Sequence, residues 1–239
     1  MRPLTICLAL LLNSGVGTLS ESAGANDSGS AATKVKETTG PLRLLRTIEL
    51  PGIEGDFDHF GVDLKGGRLF LTAEDHSSVE VFDLKTGKHI HSINGLKTPH
   101  YVRFLPEQNK LLVVDGGVGE VKFLKGDNYE PIDSAKLLLD ADSSAFDTPT
   151  GYLYTVNGGK DTGNMDYSTI AITDTKADKH LGDIRINSPQ VEAIALEKSG
   201  PRIFVNGRAH SQVAVVDREK RALVATCPSP EDRTMFPWH

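Results

Sequence analysis

The chain has 239 residues, 38% hydrophobic and 24% charged, with 26 Lys and Arg against 32 Asp and Glu for a net charge of -6. That composition supports a buried core and excludes a disordered bulk. An acidic chain without a Lys/Arg run disfavours nucleic acid as a partner, and no stretch approaches the ~20 apolar residues that a membrane span needs.

The first element is an address. Arg2, the apolar run Leu4 to Leu12 and the small residues Ala23-Gly24-Ala25 have the charge, length and cleavage-site chemistry of a signal peptide over residues 1–25. Export to a periplasm or to the extracellular space is therefore expected. Cleavage would remove Cys7 and leave Cys227 as the one thiol, so no internal disulfide is expected. Residues 26–41, rich in Ser, Thr and Gly, read as a flexible leader. Leu42 to Leu50 then reads as an isolated strand closed by Pro51-Gly52.

From there the chain repeats itself. A short strand recurs as Arg68-Leu69-Phe70-Leu71, Lys110-Leu111-Leu112-Val113, Tyr152-Leu153-Tyr154-Thr155 and Arg202-Ile203-Phe204-Val205, at intervals of 42, 42 and 50 residues. Val79, Val121 and Val213 open the next strand ten residues after the first, second and fourth copies. In the first repeat, His59 to Leu64, Arg68 to Ala73, Val79 to Leu84 and His89 to Ile93 alternate with period two and are joined by short Gly-containing turns, which predicts a four-stranded antiparallel meander. The repeats run over about 59–97, 100–141, 142–190 and 192–228, the third with an insertion over 157–167. Asp83, Asp174 and Asp217 close the third strand, with Leu124 in that place in the second repeat. A β-sandwich requires no fixed repeat length, so the interval argues for an all-β propeller.

The array closes badly. Leu42 to Leu50 resembles a fourth, outermost strand without its first three, and residues 229–239 are an off-pattern tail. The expectation is four full blades plus one orphan outer strand, with an open sheet edge liable to pair with another chain.

Leu69-Phe70-Leu71-Thr72, Tyr152 to Asn157, Ile203 to Asn206 and Val81-Phe82-Asp83-Leu84-Lys85-Thr86-Gly87-Lys88 resemble the YVTN-repeat (surface-layer-like) β-propeller proteins, relatives of the quinoprotein amine dehydrogenase β-chain superfamily. The resemblance spans about Leu42 to Pro228 and rests on packing and turn positions. It implies a ring of about seven blades, against which this chain looks shortened.

In a propeller the first strand of each blade lines the central channel. Counting back from the repeat puts His59, His100, Asp142 or Ser143, and Glu192 at the channel entrance, with Asp56 and Asp58 just before the first. Two imidazoles and several carboxylates converging there suit a divalent metal or a cationic ligand. A wet channel mouth also accommodates such residues with no ligand at all. His89 and His91 flank Ile90 and are expected on one face of an outer strand. The 157–167 insertion fits neither a calcium loop nor a phosphate loop.

No Gly-x-Ser-x-Gly or Cys-x-x-Cys-His motif occurs. No catalytic residue and no cofactor is assigned, a divalent metal being the one group the mouth would suit. Two functions follow. One is a noncatalytic extracytoplasmic scaffold binding a protein, glycan or small ligand. The alternative is a metal-assisted hydrolase or lactonase-like enzyme using the mouth His, Asp and Glu. The lack of a compact catalytic motif favours binding.

Overall fold

A computed structural model describes residues 42–160 and 162–229. The expected signal peptide, leader and nearly all of the tail lie outside the described residues. The described residues fall into two units, divided after Pro51. In the first, the described residues 42–50 form no strand, which corrects the orphan-strand expectation. A strand is held by a partner ladder, and each of the four sheets is complete at four strands without this segment.

The second unit is built of four antiparallel meanders. Blade 1 comprises β1 (Phe57–Asp63), β2 (Arg68–Ala73), β3 (Ser78–Asp83) and β4 (His89–Ile93). Blade 2 comprises β5 (Pro99–Leu105), β6 (Lys110–Asp115), β7 (Glu120–Lys125) and β8 (Pro131–Lys136). Blade 3 comprises β9 (Ser144–Asp147), β10 (Tyr152–Asn157), β11 (Ser168–Asp174) and β12 (Lys179–Ile186). Blade 4 comprises β13 (Val191–Leu196), β14 (Arg202–Gly207), β15 (Gln212–Asp217) and β16 (Ala222–Pro228).

The repeated strand is β2, β6, β10 and β14. Its side chains alternate between the two faces of the sheet, and its middle residues are apolar on both, as Leu111, Leu112 and Val113 of β6 show. Phe70, Val79 and Val81 of blade 1 pack with Val102, Leu111 and Val113 of blade 2. Leu112, Val121 and Phe123 of blade 2 meet Leu153 of blade 3. Tyr154, Ile170 and Ile172 of blade 3 meet Ile203, Val205 and Val216 of blade 4. The core is thus a series of three interblade layers. None of these layers joins blade 4 to blade 1, so the described blades form an open arc.

Each layer also holds a cation. Arg68 opens β2, pairs with Asp63, and donates from Nη1 to the Gly126 carbonyl and the Tyr129 hydroxyl of blade 2 at 2.6 and 2.9 Å. Lys110 opens β6 and donates from Nζ to the Thr175 carbonyl of blade 3 at 3.0 Å, with Asp178 beside it at 2.5 Å. Blade 3 has Tyr152 in that place, and there Arg218 reaches back from blade 4 to within 3.9 Å of Asp147.

Two sequence expectations need correction. Strand pairing sets Lys125, and not Leu124, opposite Lys110 at the place of Asp83, Asp174 and Asp217. His89 and His91 do not share a face. A bulge between the Val81 and Phe82 pairings inserts one residue. His89 turns to Glu80 at 2.6 Å, while His91 stacks on Tyr129 of blade 2 with centroids 5.1 Å apart.

Because the layers hold the arc together, a cavity in one should be costly. Phe123→Ala removes a fully buried ring between blades 2 and 3 and should lower stability by about 3–5 kcal/mol. Ile90→Ala, at a site 52% exposed, should stay within about 0.5 kcal/mol. Denaturant midpoints for the two variants check both, and equal losses would contradict the layered core.

Candidate functional site

Each first strand is irregular at its N-terminal end. The pairing register shifts between Phe57 and Phe60 on β1, between Pro99 and Tyr101 on β5, and between Val191 and Ile194 on β13. On β9, Asp142 and Ser143 bond to Val156 just before the strand begins. Bulges re-aim side chains, and here the re-aimed residues are the polar ones.

Side chains stabilise these bends. The Thr72 hydroxyl accepts from the His59 backbone N–H at 2.8 Å and lies 3.2 Å from the carbonyls of His59 and His100. In blade 4 the Asn206 Oδ1 accepts from the Glu192 and Ala193 N–H groups at 2.9 and 2.6 Å. Thr72 and Asn206 hold the same step of the repeated strand.

Counted from the shared strand register, Asp58, His100, Asp142 and Glu192 hold one repeat position, spaced 42, 42 and 50 residues apart. His59, aligned with them by sequence, belongs one step on, with Tyr101, Ser143 and Ala193. All four residues of the first set line one cavity of about 670 Å³, together with Asp56, Phe57, Glu74 and Ser143.

His100 is the centre. Its Nδ1 lies 3.0 Å from Asp58 Oδ2, 3.8 Å from Glu74 Oε2 and 3.9 Å from Asp142 Oδ1. Ligand atoms of Asp58, His100 and Asp142 all fall within 4.8 Å of one another. The ring lies against Gly116, where a Cβ would stand 2.6 Å from His100 Cδ2, so glycine is required for this approach. His59 Nδ1 lies 2.7 Å from Asp58 Oδ1 without hydrogen-bond direction and stays buried and unsatisfied. Glu192 lines the cavity, but Arg208 donates to its carboxylate, which withdraws it from the trio.

Glu74 was not foreseen. It follows β2, in the place that Gly116 and Gly158 take in the next two blades, so no repeated polar residue marked it. The signal for Asp58 was present, because it stands 42 residues before His100.

The charges in this group constrain one another. Burial pushes Asp142 up to about 7, with His100 pulling the other way. Burial also works to raise Asp58, but His100 and His59 outweigh it and hold that carboxyl at about 2. For His100, burial favours the neutral ring, yet the Asp58 hydrogen bond and the charges of Asp142 and Glu74 lift it to about 9. Burial raises Glu74. At neutral pH the trio is an imidazolium between two carboxyl groups, of which Asp142 holds its proton to far higher pH than Asp58.

These shifts give a pH signature. The folded chain keeps a proton on Asp142 that the unfolded chain releases near 3.8, so stability falls as pH rises from there to about 7. The His100 contribution is whole below 6.5 and is lost as pH rises through about 9. Asp58 stabilises above 3.8 and loses its contribution as pH falls through about 2. Asp142→Asn should therefore flatten the fall in the denaturation midpoint between pH 3.8 and about 7, and should be the more stable protein at alkaline pH. Parallel pH profiles for the two proteins would rule this out.

No family model matches this chain, and no curated protein matches it. Among solved structures it is similar to hydrazine synthase of Kuenenia stuttgartiensis, a β-propeller-containing protein, with a TM-score of 0.63 and 15% identity, over 76% of this chain and 52% of that one. The chain thus spans about half the length of the chain it matches. Similarity at that identity speaks for the β-propeller fold alone.

Proposed function

We propose that this chain is an exported, YVTN-type β-propeller that acts as a noncatalytic binding scaffold and takes a divalent cation at its channel mouth. One observation carries the reading. Three consecutive blades deliver Asp58, His100 and Asp142 from a single repeat position, and their ligand atoms come within 4.8 Å of one another in an open cavity. The separations of 3.0 and 3.9 Å from His100 Nδ1 bracket the ~3.4 Å edge expected between ligands that each lie ~2.1 Å from a tetrahedral ion. One imidazole with two carboxylates suits Zn²⁺ or Mn²⁺ better than Ca²⁺, which prefers an all-oxygen shell. Remaining coordination positions would face the cavity, where an oxygen-rich group of a protein, glycan or small ligand can enter.

The imidazolium already fills the place of a cation. Binding must therefore expel a proton, and affinity should strengthen as pH rises toward about 9. Support for export comes from Arg2, Leu4 to Leu12 and Ala23-Gly24-Ala25.

Calorimetry on chelator-stripped protein with Zn²⁺ and with Mn²⁺ should give one site per chain and proton release. His100→Ala and Asp142→Asn should each weaken it by at least about tenfold. Glu192→Gln, at a residue engaged by Arg208, should weaken it far less. A wild-type protein that binds neither ion, or binding indifferent to both of the first substitutions, would sink the reading.

Expression from the complete coding sequence in a bacterial host tests export separately. Terminal sequencing of the secreted or periplasmic product should begin after Ala25. Retention of Met1 on all of the protein would exclude it.

A further inference from the structure

Arg68, Arg185, Arg202, Arg208 and Arg218 each face a carboxylate. Arg103 does not. Among the described residues its side chain has no ion pair and no hydrogen bond, and its Nε is buried without a partner. The residue is half-buried, and its guanidinium carbon lies over the Phe146 ring of blade 3, 4.6 Å from the centroid. A desolvated charge without a counter-charge is costly, so something other than folding must favour a cation at this place.

Packing asks for the opposite. In the strand register Arg103 holds the position of Gly61 on β1, Ala145 on β9 and Ala195 on β13. Small residues suit it because successive first strands approach closely there: a Cβ on Gly61 would stand 2.9 Å from the Val102 carbonyl of β5. In blade 2 alone a long side chain leaves this narrow gap and carries a charge onto the Phe146 ring. The boundary between blades 2 and 3 lies inside the arc, with a complete sheet on either side. Arg103 also stands apart from the mouth, three residues along β5 from His100, and does not line its cavity.

The chemistry of a partner follows from this setting. A guanidinium held over an aromatic ring keeps its N–H groups directed outward in its own plane, where a carboxylate accepts two of them side by side. One positive charge matches a singly charged group better than a phosphate dianion, and Asp58, Glu74 and Asp142 nearby at the mouth add to the cost of a second negative charge. The wall around the guanidinium is apolar and partly open: Ala145 and Phe146 of β9 and Ile194 and Leu196 of β13 are half-buried, and Ala195 is exposed.

We propose that Arg103 anchors a second binding site, on the channel wall between blades 2 and 3, for the carboxylate of a ligand whose apolar body lies along the wall beside Phe146. The site needs no metal and does not rest on the cation reading of the mouth.

The probes are benzoate, its uncharged analogue benzamide and inorganic phosphate, each titrated at constant ionic strength into the full chain with chelator present throughout. Calorimetry should show benzoate filling one site per chain, with benzamide and phosphate at least about tenfold weaker. Arg103→Met, whose thioether can keep the contact with Phe146, should weaken benzoate at least about tenfold. Arg221→Met removes the same charge from an exposed position and should leave benzoate binding unchanged. A second readout needs no ligand. In low-salt buffer Arg103→Met should raise the urea midpoint, because it removes an unpaired, desolvated charge, and added benzoate should raise the midpoint of the wild type but not of this variant. Failure of benzoate to bind, equal binding by Arg103→Met, equal binding of benzamide or phosphate, an equal loss in Arg221→Met, or a lower midpoint for Arg103→Met would each overturn the proposal. With the metal stripped, none of these outcomes bears on the cation site.

Discussion

Everything in this molecule depends on one sheet face packing against the next. A four-stranded meander of this length cannot bury both its faces alone, and the apolar residues of β2, β6, β10 and β14 point to both. Leu111, for instance, joins the layer with blade 1, while its neighbour Leu112 joins the layer with blade 3. The hydrophobic term is therefore shared between blades, and removing one ring loosens two sheets. A repeat interval is kept because each blade must present the same pair of faces at the same height.

Polar groups within the layers follow the same logic. Arg68, Lys110 and Arg218 differ in chemistry and in the direction from which they reach, yet each meets an acceptor across a blade boundary. A buried cation contributes little net stability over an apolar residue of similar size, but a mispaired one is costly. Their effect is accordingly one of register. A blade shifted along its neighbour would strand a charge, so apolar layers that tolerate sliding are pinned by cations that do not.

How legible was this from the sequence? The strands of blade 1 fall within one or two residues of the positions expected from period-two alternation, because alternation is the direct trace of a two-faced sheet. The lone strand at Leu42 to Leu50 failed because apolar residues alone do not supply a ladder partner. Counting back from the repeat put His59 beside His100, although the even 42-residue step, and the strand register with it, puts Asp58 there. A bulge defeated a finer reading: an extra residue in a strand leaves no compositional mark, and one divided His89 from His91. Glu74 escaped because its equivalents in the next two blades are glycines, one of which, Gly116, lets the His100 ring approach closely.

The bulges also explain why chemistry gathers at this end of the arc. In a regular strand, the residue before the apolar row would point into a neighbouring blade, where a carboxylate has no place. Shifting the register by one residue turns that side chain out of the layer and toward the common cavity. Repeating the bulge on successive blades brings like positions together, which by itself would crowd acidic groups. Asp58 and Asp142 can coexist only because His100, from the blade between them, carries the compensating proton, and because Asp142 retains part of its own. Within the trio, protons on His100 and Asp142 compensate the acidic charge. A divalent ion that displaced the His100 proton would supply the same compensation with defined ligand geometry. Packing alone gives no reason for a base, His100, to stand at this position between the acids Asp58 and Asp142; convergence on a shared charge does.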